Sequence, residues 1–311
     1  MDIGVVPVGR LTGQQVQSVL IAAAAAPSPH NSRPWRFRCT AETIELYADP
    51  LRAEPGHQEP TLSCGAALLN LRVAIRALGV HPAVQLLPDP HRPDLLAIVR
   101  PQGDSALTPA ARRLAEAISR HHTDSGPFRA TTVPPLVLSE LRQAARNERA
   151  WMLTLIAADL PVLRGLVDRA HQAQQDDPTA VTERTQPTGG AHPPLLAEEN
   201  PDIDDVGSDQ LIAVIGTLHD QPLARLQAGQ AMQRVLLTAT AAGLSTSLLY
   251  PVVEVPETRK MLREQIVGGL WPQAALRLGY GSPVAATSRR DLEHVATSGP
   301  SAAGSPPRRG D

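Results

Sequence analysis

One segment of the chain occurs twice, and this repeat limits the possible folds more than any other feature. Gly65–Gly79 aligns with Gly229–Gly243 without a gap, and both copies begin and end with glycine. Ala67 coincides with Ala231. Three further pairs place apolar residues on the same helical face: Leu71 with Val235, Val73 with Leu237 and Leu78 with Ala242. The copies predict two helices, Ser63–Leu78 and Gln227–Ala242, each followed by glycine at C′.

The elements around the two copies recur in the same order. A helix and a tryptophan-led strand precede each copy, with the strands at Trp35–Arg38 and Trp151–Ile156. Short apolar strands follow, near Val84–Leu87 and Leu95–Val99 in the first half and near Thr246–Tyr250 and Ala274–Leu278 in the second. Two alanine-rich helices that end in glycine can resemble each other by chance, but the repeated order favours a duplicated α+β unit.

We therefore predict an α+β fold with one repeat at residues 11–105 and a second at 106–285. A basic segment occupies residues 286–311, and we expect the last ~15 residues to be disordered because apolar periodicity stops after Gly281. Residues 176–209 are polar, lack periodicity and are rich in Pro and Gly, which predicts a long functional loop or lid.

Capping signals predict further helices. Thr12 and Gln15 form a capping box at the start of a helix that we expect to run to Ala26, where Pro27 and Pro29 stop it. Other predicted elements are a helix from Thr108–Pro109 to Ser119, a helix over Asp159–Ala170, and a strand at Ile44–Ala48 that pairs with the strand at Trp35.

Composition excludes several classes of function. The 311 residues carry 29 Lys and Arg against 31 Asp and Glu, so a net charge of -2 offers no field for attracting nucleic acid or an anionic membrane. The apolar run at Val16–Pro27 is shorter than the roughly 20 residues that span a bilayer, and Met1–Arg10 lacks the pattern of a secretory signal. We expect a cytoplasmic protein that binds neither nucleic acid nor membrane.

Common catalytic motifs are missing from the sequence. It contains no G-x-x-x-x-G-K-[ST] phosphate loop and no H-E-x-x-H metal motif, and Gly279-Tyr-Gly281 lacks the third glycine of a dinucleotide fingerprint. Gly243–Ser247 narrowly misses the G-x-S-x-G nucleophile elbow. Cys39 and Cys64 are too far apart for a redox pair, so we expect packed thiols.

A proline-rich turn follows the first predicted helix. Ala26–Trp35 reads A-P-S-P-H-N-S-R-P-W, in which Ser28, His30, Asn31 and Arg33 supply hydrogen-bond donors and acceptors. Composition alone favours a connector in which Asn31 makes an Asx-turn. The segment also resembles A-P-S-x-H-N-T-Q-P-W-R, which is typical of the actinobacterial Acg branch of the flavin-dependent nitroreductase family.

The resemblance to the Acg branch extends over most of residues 15–295. Further segments that follow its pattern in order are Leu46–Pro50, Leu62–Ala67, Leu71–Ala74, Ile118–Phe128, Arg225–Gly229 and Pro272–Gly281. Proteins of this branch are two nitroreductase units fused in one chain. The resemblance therefore implies a nitroreductase-like fold, two fused repeats that form an intramolecular pseudo-dimer, and FMN as the cofactor.

A second segment resembles the family's flavin-phosphate motif. Arg120–Phe128 reads R-H-H-T-D-S-G-P-F, against R-R-H-T-D-R-R-P-F in the branch, and the matching residues are Arg120, His122 and Thr123. Arginine is common in the family where this chain has His121, Ser125 and Gly126. Each missing charged hydrogen bond is worth roughly 1.5–3 kcal/mol, so an exposed loop without a ligand remains an alternative.

The resemblance also implies the rest of the flavin site. Arg289 and Arg290 resemble a basic pair near the flavin phosphate, although such a pair before a tail is often only solvated charge. The residues implied at the two edges of the isoalloxazine ring are Pro27, Ser28, Pro29, His30 and Asn31 on one side and Thr246, Ser247 and Leu248 on the other. Arg33 replaces the usual Gln, and it would stabilise anionic reduced flavin if it points inward.

As a function, the resemblance implies NAD(P)H-dependent reduction of nitro or quinone compounds by hydride transfer through flavin N5. No side chain is required as a general base, because the flavin carries the chemistry. Two alternatives stay open: a flavin-binding or flavin-sequestering stress protein without turnover, and a relic fold without a cofactor. Since the duplication can supply internally the interface of a dimer, we expect a monomer.

Overall fold

The computed structural model describes residues 6–49, 60–122, 128–129, 131–176 and 211–281. The elements of its first half are α1 (Gly13–Ala24), β1 (Trp35–Cys39), β2 (Ile44–Ala48), α2 (Pro60–Ala77), β3 (Val80–Leu86) and β4 (Leu95–Asp104). The elements of its second half are α3 (Pro109–Arg120), β5 (Phe128–Arg129), α4 (Pro135–Asn147), β6 (Trp151–Thr154), α5 (Leu160–Asp176), β7 (Leu211–Thr217), α6 (Pro222–Ala241), β8 (Ser245–Leu248), α7 (Pro251–Glu254), α8 (Pro256–Gln265) and β9 (Trp271–Gly281).

Local sequence explains where these elements begin and end. The Thr12–Gln15 capping box is formed in both directions, and α1 ends at Ala24 because the next two N–H groups bond three residues back. The predicted end at Ala26 was therefore two residues late. Gly79 follows α2 with a φ of +75°, as expected for a glycine that terminates a helix.

Two antiparallel sheets repeat one strand order. Sheet 1 runs β1-β2-β4-β3 and sheet 2 runs β6-β7-β9-β8, with β5 paired to the last residues of β9. The helix that precedes the first strand and the helix between the second and third strands also recur, as α1 and α2 in one half and α4 and α6 in the other. This arrangement confirms the α+β class and the two fused repeats, while the boundaries at 11–105 and 106–285 stay predictions.

The two halves meet where α2 crosses α6, at the paired glycines of the repeat. A Cβ atom on Gly65 would lie 2.9 Å from the Cα of Gly229 and would collide with the carbonyl of Leu226. A Cβ atom on Gly229 would lie 3.0 Å from the Cα of Gly65 and would collide with the carbonyl of Leu62. The contact is thus the same from both sides, as a local two-fold axis requires.

One core joins the inner faces of both sheets to the central helices. Phe37, Leu46 and Val99 of sheet 1 belong to the same buried cluster as Ala213 and Leu276 of sheet 2. The α2–α6 pair lies between the two sheets and fills this cluster with small and branched side chains, in keeping with close helix packing. The molecule is therefore held together through its centre.

The outer faces of the two sheets differ. Helices α5, α7 and α8 cover sheet 2, where Leu163, Val214 and Leu262 form part of a second buried cluster. On sheet 1 the matching face carries Tyr47, whose ring lies beneath three arginine side chains: Arg36, Arg38 and Arg92. Among the described helices, none combines the length and the apolar composition that a transmembrane span requires.

Candidate functional site

Three helices end close together at the α2–α6 pair. A small apolar cluster contains Ala25 after α1, Ile118 near the end of α3 and Ala241 at the end of α6. The segments at or after these helix ends are the turn Pro27–Arg33, the three residues Arg120–His122 and strand β8. The structure thus brings one helix end from the first half and two from the second to one region, each leading into a segment predicted to bind flavin.

The turn after α1 is held in an unusual backbone conformation. Pro29–Asn31 forms one 3₁₀ turn, and Asn31 and Arg33 both have positive φ, at 54° and 49°. The hydroxyl of Ser28 accepts the N–H of Arg33 at 2.9 Å. A left-handed residue other than glycine costs about 1–2 kcal/mol, and such strain is concentrated at functional sites.

Arg33 lies back over this turn. Its Nε donates to Oδ1 of Asn31 at 3.1 Å, and its side chain is half-buried. Asn31 does not make the Asx-turn that composition favoured, because the N–H of Arg33 is already bonded to Ser28. Pro29 is buried, whereas Pro27 and Ser28 are half-buried.

The end of α3 presents two polar groups and buries a third. Arg120 and His122 are exposed, and Nδ1 of His122 lies 3.0 Å from the carbonyl of Arg120. His121 is 4% exposed, and its Nδ1 lies 3.1 Å from the hydroxyl of Thr240 on α6. That hydroxyl gives its one proton to the carbonyl of Leu236, so Nδ1–H of His121 is the donor. His121 therefore links α3 to α6, and no guanidinium occupies its position.

Strand β8 is buried on both faces. Thr246 and Leu248 share the face that packs on the central helices, and Ser247 stands opposite Arg277 of β9 on the other face. Arg277 is 1% exposed, with its guanidinium carbon 4.4 Å from the centre of the Phe128 ring. Arg277 was not among the residues predicted from the sequence, although an arginine between two leucines of a buried strand was a usable signal.

A cleft of about 470 Å³, including its open mouth, lies beside the end of β8. Its apolar wall includes Leu62, Leu248 and Ala274, and its polar residues are Arg225, Glu254, Arg259 and Gln273. Of the described residues predicted for the flavin site, Leu248 alone lines this cleft.

Asp220 organises the polar side of the cleft. Arg259 donates to its carboxylate through both Nη atoms at 2.7 Å, and Arg225 donates two further bonds at 3.0 Å. Gln273 adds a bond at 3.1 Å. Burial by itself raises the pKa of Asp220, but the hydrogen bonds from Arg259, Arg225 and Gln273 hold that pKa well below its usual range. Asp220 is thus a permanent anion and not a proton donor.

The cysteines are packed thiols, as expected. Burial raises the pKa of Cys39 to about 11, and burial together with the charge of Asp49 raises that of Cys64 further. Cys64 donates to the carbonyl of Pro34 at 3.2 Å, which ties α2 to the end of the proline-rich turn. Within the described ranges, no group of His, Cys, Asp and Glu is arranged to hold a metal ion.

Several predicted residues lie outside the described part. These are Thr123, Ser125, Arg289, Arg290, the side chain of His30 and almost all of the predicted lid, of which Asp176 alone is described, as the last residue of α5. The described residues of the predicted site carry hydroxyls, an amide, an imidazole and guanidinium groups, and none of them is acidic. Such a donor set suits an anionic phosphate.

The fold defines a class: an α+β protein of two like sheet-and-helix halves that share one core. No family model matches the chain. Among curated proteins, Mycobacterium tuberculosis "Putative NAD(P)H nitroreductase Rv3131" is 31% identical over 317 residues, 91% of each chain. "Putative NAD(P)H nitroreductase acg" of the same organism is 28% identical, over 92% of this chain and 96% of that one.

Solved structures of nitroreductases are more distant. One with bound FMN from Bacteroides fragilis is 15% identical, covers 58% of this chain and 95% of its own, and has a TM-score of 0.40. Another with bound FMN, from Desulfitobacterium hafniense, is 12% identical, covers 60% of this chain and 97% of its own, and has a TM-score of 0.41. On the strength of the mycobacterial relatives, this chain belongs to the nitroreductase family, in its Acg branch.

Proposed function

We propose that this chain binds one FMN at the junction of its halves and uses NAD(P)H to reduce small nitro or quinone compounds. The observation that carries the proposal is that the end of α3 lies in one apolar cluster with the ends of α1 and α6, which lead into the turn Pro27–Arg33 and strand β8. These segments are far apart in the sequence, and each resembles a flavin-binding segment of the family.

Each segment has a distinct proposed role. Arg120 and His122 are exposed donors at the end of α3, where they bind the phosphate together with Thr123, Ser125, Arg289 and Arg290. The turn Pro27–Asn31 borders one edge of the ring, and Thr246–Leu248 borders the other. A rigid turn rich in proline is suited to this role, since its geometry costs little entropy when a ligand binds.

Arg33 tunes the reduced state in this proposal. It is held 3.1 Å from the Asn31 amide oxygen, so its charge is already fixed beside the turn before any ligand arrives. A preorganised cation near the ring stabilises negative charge that develops on reduction. When bound, FMN supplies hydride transfer through its N5 atom, and the protein positions the reactants.

The first test is the visible absorption spectrum of the purified protein, with the cofactor extracted and identified. We expect FMN, and the absence of any flavin after reconstitution would contradict the proposal. Rapid mixing with NADPH or NADH under anaerobic conditions then tests turnover. We expect bleaching of the flavin and its recovery on addition of a nitro or quinone compound. Reduction by dithionite alone would favour the flavin-sequestering alternative.

We also propose that the protein is a monomer. The α2–α6 crossing already provides within one chain the type of two-fold contact that joins identical subunits in a dimer. We expect light scattering to give a mass near the 33.1 kDa of one chain. Twice that value would mean that the internal crossing does not replace a subunit interface.

A further inference from the structure

A second cleft, separate from the proposed flavin site, lies between α2, α3 and α6. Its volume is about 540 Å³, including the open mouth. Arg72 and Arg76 of α2 and Arg234 of α6 line it, and Val73 and Leu114 provide an apolar wall. Proteins commonly bind phosphate with arginine, because a guanidinium group donates two charged hydrogen bonds to the phosphate oxygens.

The positive charge of this cleft is only partly neutralised. Glu148, 6% exposed, lies 2.6 Å from Arg72 and 2.6 Å from Arg234. One carboxylate thus serves two guanidinium groups. Arg76 is exposed and makes no ion pair within the described ranges. Within this group, three positive charges face one negative charge.

The pKa of Arg234 reflects this excess of positive charge. Burial lowers its pKa, Glu148 raises it, and the positive charges of Arg72 and Arg76 lower it again. An anion placed between the three arginines would offset both the burial and the mutual repulsion.

The start of α3 adds to the same field. Thr108 caps this helix by accepting the N–H of Ala111, and Thr108, Ala110 and Ala111 line the cleft. The positive end of the helix dipole therefore points toward the arginines. Arg120 lies at the opposite end of α3, about 18 Å away for twelve residues at 1.5 Å each.

The cluster is not a by-product of the duplication. The repeat alignment places Asn70 where α6 has Arg234, and Asn70 is fully buried, with its amide bonded to Ala22 and Gln233. The two-fold-related position thus carries a neutral packing residue. Only one side of the α2–α6 pair has acquired the charges.

We propose that this cleft binds a phosphate dianion, free or as the phosphate of a small monoester. The three guanidinium groups and the start of α3 hold the phosphate oxygens. The apolar wall at Val73 and Leu114 is the surface that an organic group of a monoester would contact. The cleft and the proposed flavin site occupy opposite ends of α3, so a ligand in one does not exclude a ligand in the other.

The test is calorimetric titration of the full chain, with and without saturating FMN, at constant ionic strength. Inorganic phosphate and phenyl phosphate are the two probes, and tighter binding of phenyl phosphate would identify a monoester as the preferred form. Arg76→Gln should weaken binding of both probes roughly tenfold or more, because it removes a charged hydrogen bond. Arg100→Gln, an exposed arginine on β4, is the matched control and should change binding less than about twofold.

Three results would overturn the proposal. They are no saturable binding to the wild type, equal losses in the two variants, and binding that occurs only without FMN. The last would mean that phosphate had entered the flavin site. Since Arg76 is exposed and pairs with no described carboxylate, Arg76→Gln should fold normally, and circular dichroism checks this.

Discussion

The two halves of this chain share one strand order but differ in what surrounds their sheets. Tyr47 and three arginines lie on the outer face of sheet 1, whereas α5, α7 and α8 cover the outer face of sheet 2. The first half also has a long turn between its first helix and strand, with left-handed residues at Asn31 and Arg33, whereas the second half joins α4 to β6 through a short loop with one such residue, Arg149. Duplication therefore fixed the scaffold, while the chemical groups diverged between the copies.

The proposed flavin site draws on both halves. The first half contributes the turn Pro27–Arg33, and the second contributes the ends of α3 and α6 and strand β8. The second half also contains the ionic network around Asp220, beside the cleft at β8.

The largest effect is expected at the α2–α6 crossing, which both halves share. Gly229→Ala should lower the free energy of unfolding by about 4 kcal/mol, because the new Cβ atom must push two helix backbones apart. Gly165→Ala on α5 is the control. It has open space at its Cβ position and should change stability by less than about 1 kcal/mol, in the stabilising direction. Urea unfolding measures both, and equal values would refute a tight crossing.

The second largest effect is expected at the ionic network around Asp220 in the second half. Asp220→Asn should cost about 3 kcal/mol, because Arg225 and Arg259 keep their charges and lose their carboxylate. Asp104→Asn in the first half removes an exposed partner of Arg10 and should cost less than about 1 kcal/mol. Similar losses at the two positions would mean that the buried network around Asp220 adds no more stability than an exposed ion pair.

The same network predicts a dependence on pH. Because folding lowers the pKa of Asp220, its stabilisation is present above the unfolded pKa of about 3.9 and is lost as pH falls below it. Between about pH 5 and pH 3, the wild type should therefore lose stability more steeply than Asp220→Asn.

A smaller effect is expected at the end of α3, a helix without a counterpart among the described residues of the first half. Arg120→Ala should weaken FMN binding about tenfold and riboflavin binding much less, because riboflavin has no phosphate. Arg113→Ala, exposed on the same helix, should leave both affinities unchanged. Fluorescence titration of the flavins gives the answer, and equal loss of both ligands in Arg120→Ala would place the phosphate elsewhere.

The smallest effect concerns the outer face of sheet 1. The hydroxyl of Tyr47 donates to Glu45 at 2.6 Å and accepts from Arg92 at 2.5 Å. Tyr47→Phe should thus cost about 1 kcal/mol in urea unfolding. Tyr280→Phe, half-buried near the end of β9, is the control in the second half and should be close to neutral. A neutral Tyr47→Phe would mean that the arginines cover this face without help from the hydroxyl.

Helical and strand periodicity were enough to predict the central architecture. The repeat placed α2 and α6, and the paired glycines at 65 and 229 proved to be the crossing itself. Helix ends were less accurate: α2 begins at Pro60 and not at Ser63, because proline is well tolerated in the first helical turn.

Features that depend on tertiary packing could not be predicted. Thr217, Asp220, Arg259 and Gln273 become neighbours only when β7, α8 and β9 assemble, and no spacing in the sequence links them. The role of His121 could not be predicted either, because comparison with the family pattern showed only that an arginine is missing at this position. Its role as a bridge to Thr240 became visible only once α3 lay against α6.

The glycine crossing also affects how the protein can change over generations. In a dimer of identical subunits, every substitution appears twice and must suit both sides of the axis at once. Here Gly65 and Gly229 are encoded separately, as are all other related positions, so each can be altered alone. A charge such as Arg234 can therefore arise while the related position keeps the neutral Asn70. Fusion of the two units thus permits asymmetric substitutions that a dimer of identical subunits cannot acquire.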